Sequence, residues 1–286
     1  LANFLKSLLP ARFRSDKIIV PVVRLQGAIS AAGGSPLRQG LSFASAVPLL
    51  EKAFSIKSAP AIAIAVNSPG GSPVQSRQIF QRIRALADEK DKSVIIFCED
   101  VTASGGYMIA IAGDEIYADP CSIVGSIGVL YAGFGFTEAI DKLGIERRLY
   151  TAGENKATLD PFQPVKEDDV ERLKSLQLEI HDVFKTMVRE RREGKLSDDP
   201  ELFSGAFWTG HSALSRGLID GLGDVRSVMR EKYGDKVRLK LISASGGLFG
   251  RRISPFRNDL SKAGAGFAGG LVQTVEERLL WQRFGL

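Results

Sequence analysis

The chain of 286 residues has little of what metal and disulfide frameworks need: two cysteines, Cys98 and Cys121, and two histidines, His181 and His211. Two cysteines in apolar sequence surroundings make neither a disulfide scaffold nor a zinc spacing. Two histidines exclude a histidine-rich metal centre, so no metal and no other cofactor is expected. A Ser-His-Asp enzyme would have to draw its base from those two. There is no run of 18 apolar residues, which excludes a transmembrane helix in this chain, and no internal repeat. At 44% hydrophobic and 25% charged residues, disorder, collagen-like repeats and coiled coil are also excluded. The length fits one large or two ordinary domains with a sizeable core.

The net charge of +5 is unevenly placed. Residues 1–24 carry five basic groups against Asp16, and residues 240–286 carry seven against three, which leaves the body slightly acidic. Positive charge at the ends and not across the core argues against nucleic acid as a partner. It fits peripheral contact with an anionic membrane surface, although ordinary solvated termini account for the same numbers. Phe4, Leu5, Leu8, Leu9 and Phe13 share one helical face near Lys6, Arg12 and Arg14. With a short apolar core and no small-residue cleavage site, residues 1–15 read as an interfacial amphipathic segment, not as a signal peptide. Location is expected to be membrane-associated in this peripheral sense, or cytoplasmic. The start without Met leaves room for an upstream segment.

Strand and helix signals alternate along the chain. Ile18–Leu25 reads as a strand that Pro21 places at an edge or a bend, and a Gly- and Ser-rich loop follows to Gly40. Phe43–Phe54 reads as a helix and Ala61–Val66 as a strand. After the turn Asn67-Ser68-Pro69-Gly70-Gly71, Ser72, Pro73 and Gln75 open a capped helix continued by Ile79, Ile83 and Leu86. Ser93–Cys98, Glu115–Ala118, Ile127–Leu130 and Arg147–Thr151 read as strands. An apolar helix starts at Tyr107, a long one runs from Val170 past Met187 to Gly194, and a shorter one covers Trp208–Leu218 before the turn Asp220–Gly223. The class is therefore α/β. Residues 16–245 form the main domain, and residues 246–286 form a Gly-rich linker and a last amphipathic helix.

Two places carry chemistry. Ser104 lies between a strand and an apolar helix, flanked by Ala103 and Gly105-Gly106. Such a turn presents a hydroxyl beside unpaired N–H groups of a helix start, which is what a nucleophile and an oxyanion need. The same pattern describes an ordinary turn serine. Gly70-Gly71 closes a strand and opens a capped helix, so it lets backbone approach a ligand or merely makes a tight turn. His181 falls at the edge of a packed helix face and His211 in a helix start, neither with an acidic partner in triad order. A lysine serves as base when burial lowers its pKa, but periodicity does not choose one.

Several blocks in order make that choice. They are Asn67–Gly71, Ala103-Ser104-Gly105-Gly106-Tyr107, Val124–Val129, Thr151-Ala152-Gly153-Glu154-Asn155-Lys156-Ala157, Asp160-Pro161-Phe162, and Trp208-Thr209-Gly210 with Gly217–Asp220. Over about Val20 to Asp224 the chain resembles the signal peptide peptidase A family of bacterial serine proteases, including its short SohB-type members. The resemblance implies a Ser–Lys dyad of Ser104 and Lys156, with Ser126 positioning the lysine amine. It implies an oxyanion hole of the Gly71 N–H with that of Gly105 or Ser104. It also implies a crotonase- and Clp-protease-like spiral of ββα units with extended helical termini, and a homo-oligomeric ring in which neighbouring chains build each site. Ser104 and Lys156 of one chain are then expected to lie apart. The implied substrates are polypeptides, namely signal-peptide remnants or other hydrophobic or misfolded chains.

Two features depart from the family pattern. Asn155 stands where an aromatic commonly precedes the lysine, though Lys156 is the sole lysine between Arg148 and Lys166. In place of the usual N-terminal anchor there is only the short basic start. Two other classes compete with a protease. A crotonase-fold acyl-CoA hydratase or isomerase would need a carboxylate pair beside the Gly-rich turns, and a catalytically silent membrane-associated scaffold would not need Ser104 at all.

Overall fold

A computed structural model of the protein describes residues 18–31, 34–35, 38–243 and 278–285. The expected segment 1–15, the whole of the expected linker and the first part of the expected last helix lie outside them. The strands are β1 (Ile19–Gln26), β2 (Gly34–Ser35), β3 (Arg38–Gln39), β4 (Ala61–Ser68), β5 (Ser93–Ala103), β6 (Glu115–Ala118), β7 (Ile123–Gly125), β8 (Phe207–Thr209), β9 (Gly221–Leu222) and β10 (Arg238–Leu241). The helices are α1 (Phe43–Phe54), α2 (Pro73–Lys90), α3 (Gly105–Ala110), α4 (Thr137–Lys142), α5 (Glu167–Arg191), α6 (Gly210–Ser215) and α7 (Val225–Tyr233).

The main sheet runs in the order β10-β1-β4-β5-β6-β9 with every pairing parallel. Parallel strands covered on both faces need apolar side chains at every position. In β4 all eight residues are buried. Ile62, Ile64 and Val66 point into the larger core, together with Val23, Leu25, Val94 and Ile96. Ala61 and Ala63 face the smaller cluster with Ile95, Phe97 and the α7 residues Val228 and Met229. Burial of each large aliphatic contributes roughly 1.5–3 kcal/mol.

Each of the first three turns of the spiral is a sheet strand, a short second extended stretch and a helix, and the fourth keeps the two strands. β1 is followed by Ile29 and α1; β4 by Gly71 and α2; β5 by its own end, 101–103, and α3; β6 by β7. The second stretches pair with one another, Ile29 with Gly71, and Val101–Ala103 with Ile123–Gly125. This is the expected crotonase-like α/β arrangement. Asn67 fixes the bend in β5: its Nδ2 donates to Asp100 at 2.6 Å and its Oδ1 accepts from the Val101 N–H at 3.1 Å. Across the bend, the Thr102 hydroxyl donates to the Val66 carbonyl at 2.8 Å. Together they steer β5 off β4 and toward Ser104.

Several sequence expectations are corrected. Pro21 lies inside the sheet, tolerated because β1 has a neighbour at that residue only on the β10 side. Ile127–Leu130 is not a strand, since Ser126 at φ +54° turns the chain out of the ladder after β7. Arg147–Thr151 is irregular, and Trp208 belongs to β8, paired with Val124. Gly221–Leu222 joins the sheet as its last strand, beside Tyr117 and Ala118. Ser72 caps α2, but Gln75 does not complete a capping box: its Oε1 accepts from the Phe43 N–H at 2.8 Å and so ties α2 to α1. Cys121 is exposed, whereas Cys98 is buried and burial pushes its thiol up to about 12.

Candidate active site

Ser104 joins β5 to α3 at φ +50° and ψ −120°, a conformation that costs a non-glycine residue about 1–3 kcal/mol. Both backbone groups are held: its N–H donates to the Gly125 carbonyl at 2.8 Å, and its carbonyl accepts from Met108 at 2.9 Å. The side chain caps nothing and points out of the turn. Small neighbours are obligatory. A methyl group on Gly106 would fall 2.6 Å from the Ser68 carbonyl, and one on Gly105 would fall 2.4 Å from the Ser76 hydroxyl.

Gly70 and Gly71 lie against this elbow at φ +103° and +139°. A Cβ on Gly70 would lie 2.7 Å from the Ser104 Cβ and 2.9 Å from the Gly105 nitrogen. The bridge to Ile29 uses the Gly70 carbonyl and the Ser72 N–H, which leaves the Gly71 N–H without an acceptor among the described residues. The Gly105 N–H, at the start of a helix, also has none. Of the two donors that the resemblance paired with Gly71, Ser104 is engaged with Gly125 and Gly105 is open. Two unused N–H groups thus flank the hydroxyl.

Ser126 is buried, with its N–H on the Ala206 carbonyl at 2.7 Å. It shares with Ser104 and Gly71 a cavity of about 430 Å³ whose apolar wall includes Val129 and Leu130. No carboxylate lines this cavity among the described residues. Helical residues 278–282 and the turn after them supply Leu280, Arg283 and Phe284 to its rim, with Phe284 packed edge-on against Phe207 at 5.0 Å.

His181 also lines the cavity, which its place on an amphipathic helix did not reveal. Its Nε2 lies 3.1 Å from the Ile127 carbonyl. A carbonyl only accepts, so Nε2 carries the proton and that nitrogen is not free to take one from a serine. His211 is exposed at the start of α6, where Thr209 provides the cap.

Lys156 stands apart. It is exposed, does not line the cavity, and its ammonium has no hydrogen bond or ion pair among the described residues. It belongs to residues 129–166, where α4 buries nothing and large apolar side chains face outward, among them Leu130, Tyr131, Phe134, Leu143 and Val165. The chain therefore brings Ser104, Ser126, Gly71 and Gly105 together and leaves Lys156 outside.

Behind the elbow lies a buried polar anchor in which Tyr107 and Gly217–Asp220 of the matching blocks meet Arg192, which no motif announced. The Tyr107 hydroxyl donates to the Leu218 carbonyl at 2.8 Å. Arg192, 2% exposed, donates from Nε to the Gly217 carbonyl at 2.8 Å and pairs with Asp220 at 2.7 Å. Burial pushes the Asp220 carboxyl up, but hydrogen bonds from Arg192 and Lys195 outweigh it and hold the carboxyl below its ordinary range. Burial also pushes the Tyr107 phenol up, so it stays protonated as a donor.

The α/β spiral thus carries a strained serine at a strand-to-helix elbow, with two open N–H groups beside it at the edge of a partly apolar cavity. Residues 87–238 match Peptidase family S49, and the chain belongs to that family. It is 59% identical over its whole length to a Brucella abortus protein named Na(+)/H(+) antiporter NhaA, spanning 39% of that protein. It is 32% identical to serine protease SPPA, chloroplastic, of Arabidopsis thaliana, over 71% of this chain and 30% of that protein. A putative signal peptide peptidase SppA of Enterococcus faecium is 26% identical over 93% of this chain and 76% of its own. Among the described residues no helix is long and apolar enough to cross a membrane.

Proposed function

We propose that residues 16–245 form a serine endopeptidase unit in which Ser104 is the nucleophile and Lys156 the general base. The observation that carries this is the strained Ser104 elbow beside the open N–H groups of Gly71 and Gly105. Ser104 Oγ attacks the peptide carbonyl carbon as its proton passes to a neutral Lys156 amine. The carbonyl oxygen becomes an oxyanion held by the two N–H groups. Lys156 returns the proton to the leaving amine, which gives an acyl-enzyme on Ser104. Water, deprotonated by the same amine, then releases the acid. Ser126 positions the amine through its hydroxyl.

Lys156 comes from a neighbouring copy in a homo-oligomer. Its exposure, together with the outward apolar side chains of residues 129–166, supports this. The apolar cavity wall favours peptides with small or hydrophobic side chains, such as signal-peptide remnants. The basic ends of the chain support peripheral contact with an anionic membrane surface, with the cytoplasm as the alternative place of action. The Brucella relatives bear an antiporter name and extend well beyond the aligned part. An acyl-CoA hydratase or isomerase is disfavoured by the absence of carboxylates among the described residues that line the cavity. The test is labelling with a fluorophosphonate: wild type is labelled and Ser104→Ala is not. A folded wild type that takes no label would instead fit the silent scaffold.

A further inference from the structure

One peptide group, between Gly125 and Ser126, is shared by both candidate serines. Its carbonyl accepts from the Ser104 N–H at 2.8 Å, and its N–H, that of Ser126, donates to the Ala206 carbonyl at 2.7 Å. In a trans peptide these two groups point in opposite directions. A single plane therefore ties the Ser104 elbow on one side to the chain entering β8 on the other. Ser104 and Ser126 both stand at positive φ, +50° and +54°. Such torsions persist only where the surroundings over-determine them. The residue that leads into this peptide is Gly125, at φ +113°, and a glycine is the residue least able to resist rotation by itself. A turn of that plane would release both hydrogen bonds at once.

The ring of Trp208 stands in the way of that turn. Trp208 pairs with Val124 across β7 and β8, and Phe207 pairs with Gly125. A Cβ on Gly125 would meet two ring carbons of Trp208 at 2.8 and 2.9 Å. The indole thus rests on the bare Gly125 Cα and supplies the steric wall that the glycine lacks. The ring is itself held. The Arg216 guanidinium lies over it, 5.0 Å from its centroid, and is fixed by Asp199 at 2.8 Å and by the Ser212 carbonyl at 3.1 Å. Trp208 is half-buried, packs against the larger core and does not line the catalytic cavity. Core filling needs no contact with Gly125, and a residue behind the cavity wall does not bind substrate.

We propose that Trp208, backed by Arg216, is a positioning residue that locks the Gly125–Ser126 peptide and through it sets the Ser104 and Ser126 hydroxyls relative to each other. The catalytic consequence rests on the peptidase reading above, whereas the lock itself does not. The block Trp208-Thr209-Gly210, to which the mechanism gives no part, thereby acquires one.

The test compares Trp208→Ala, Trp208→Phe and Arg216→Gln in the full chain. Amide hydrogen exchange at Ser104 and Ser126 reports the lock, and the Val101 N–H, bonded to the Asn67 side chain in the same strand as the elbow, is the control. Steady-state hydrolysis of an apolar peptide and thermal melting are followed in parallel. In Trp208→Ala the Ser104 and Ser126 amides exchange at least about tenfold faster while Val101 does not change. A displacement of about 1 Å at a reacting group costs on the order of 100-fold, so kcat falls by that factor while KM stays nearly constant. Trp208→Phe keeps an aromatic ring beside Gly125 and restores most of both readouts. Arg216→Gln moves both in the same direction as Trp208→Ala by roughly threefold, and carries the test if Trp208→Ala does not fold. Unchanged exchange at Ser104 and Ser126 overturns the proposal. So does an equal acceleration at Val101, which would make the indole a core filler only, and so does wild-type kcat in a variant whose two amides have lost protection. A wild type that hydrolyses nothing, with both amides released in Trp208→Ala, counts against the peptidase reading and upholds the lock.

Discussion

Replacing Gly71 by alanine separates an oxyanion donor from an ordinary turn glycine. A Cβ there would lie 2.1 Å from the Ile29 carbonyl oxygen, on a backbone at φ +139°. Ile29 cannot yield alone, because its N–H is bonded to Gly70 and its carbonyl to the Ser72 N–H, each at 2.8 Å. The collision must move the loop, and with it the Gly71 N–H. Strain of this kind lowers stability by about 1–3 kcal/mol. Loss of one oxyanion donor lowers kcat about 10²–10³-fold, or about 2.7–4 kcal/mol of transition-state stabilisation. Because the donor acts on charge present only in the transition state, kcat falls while KM changes little. The assay is steady-state hydrolysis of a chromogenic apolar peptide, with melting followed in parallel. Gly135→Ala is the control, since a Cβ there meets nothing within 4 Å. A Gly71→Ala protein that is folded and keeps wild-type kcat would refute the reasoning.

Two further predictions concern the scaffold. Asp220→Asn leaves Arg192 charged and unpaired in the interior and should lower stability by about 3 kcal/mol, read from denaturant unfolding at neutral pH. The folded Asp220 pKa is depressed, so its contribution is present above the unfolded-state carboxylate pKa and is lost as pH falls through the folded value. The gap between wild type and variant should therefore narrow in acid, and a gap independent of pH would contradict the assignment. For the thiols, a disulfide reagent at neutral pH should modify exposed Cys121 quickly and buried Cys98 only after denaturation. Two fast thiols in the native protein would show that β5 opens.

Most of the frame was legible because local and tertiary preferences agree. Phe43–Phe54 carries its own periodicity and cap, and β4 and β5 are continuous apolar runs that only a two-sided sheet buries. Expectations failed where a single torsion or a distant partner decides. Ile127–Leu130 has strand composition, but Ser126 in the left-handed region removes it from the ladder. Trp208 has helical neighbours, yet its ring covers Gly125, where a Cβ would lie 2.8 Å from it, and that contact keeps the residue in β8. Within the candidate site, the turn pattern marked the glycines and Ser104 as candidates and the resemblance gave them roles, while the choice of Gly105 over Ser104 as donor needed the hydrogen bond to Gly125. Arg192 and His181 gave no local sign, since their partners lie 28 and 54 residues away. Lys156 came from resemblance alone, and its exposure in the single chain is why no pattern of burial marks it.

The most direct test of the proposed site is complementation between Ser104→Ala and Lys156→Ala. Each variant alone should be inactive. When the two are unfolded together and reassembled, a site that pairs Ser104 of one chain with Lys156 of its neighbour is restored by random mixing in roughly a quarter of cases. Recovery of about that fraction of the wild-type rate is the predicted result. Near-normal activity of Lys156→Ala alone, or a reassembled mixture that stays inactive while wild type treated in the same way recovers, would contradict it.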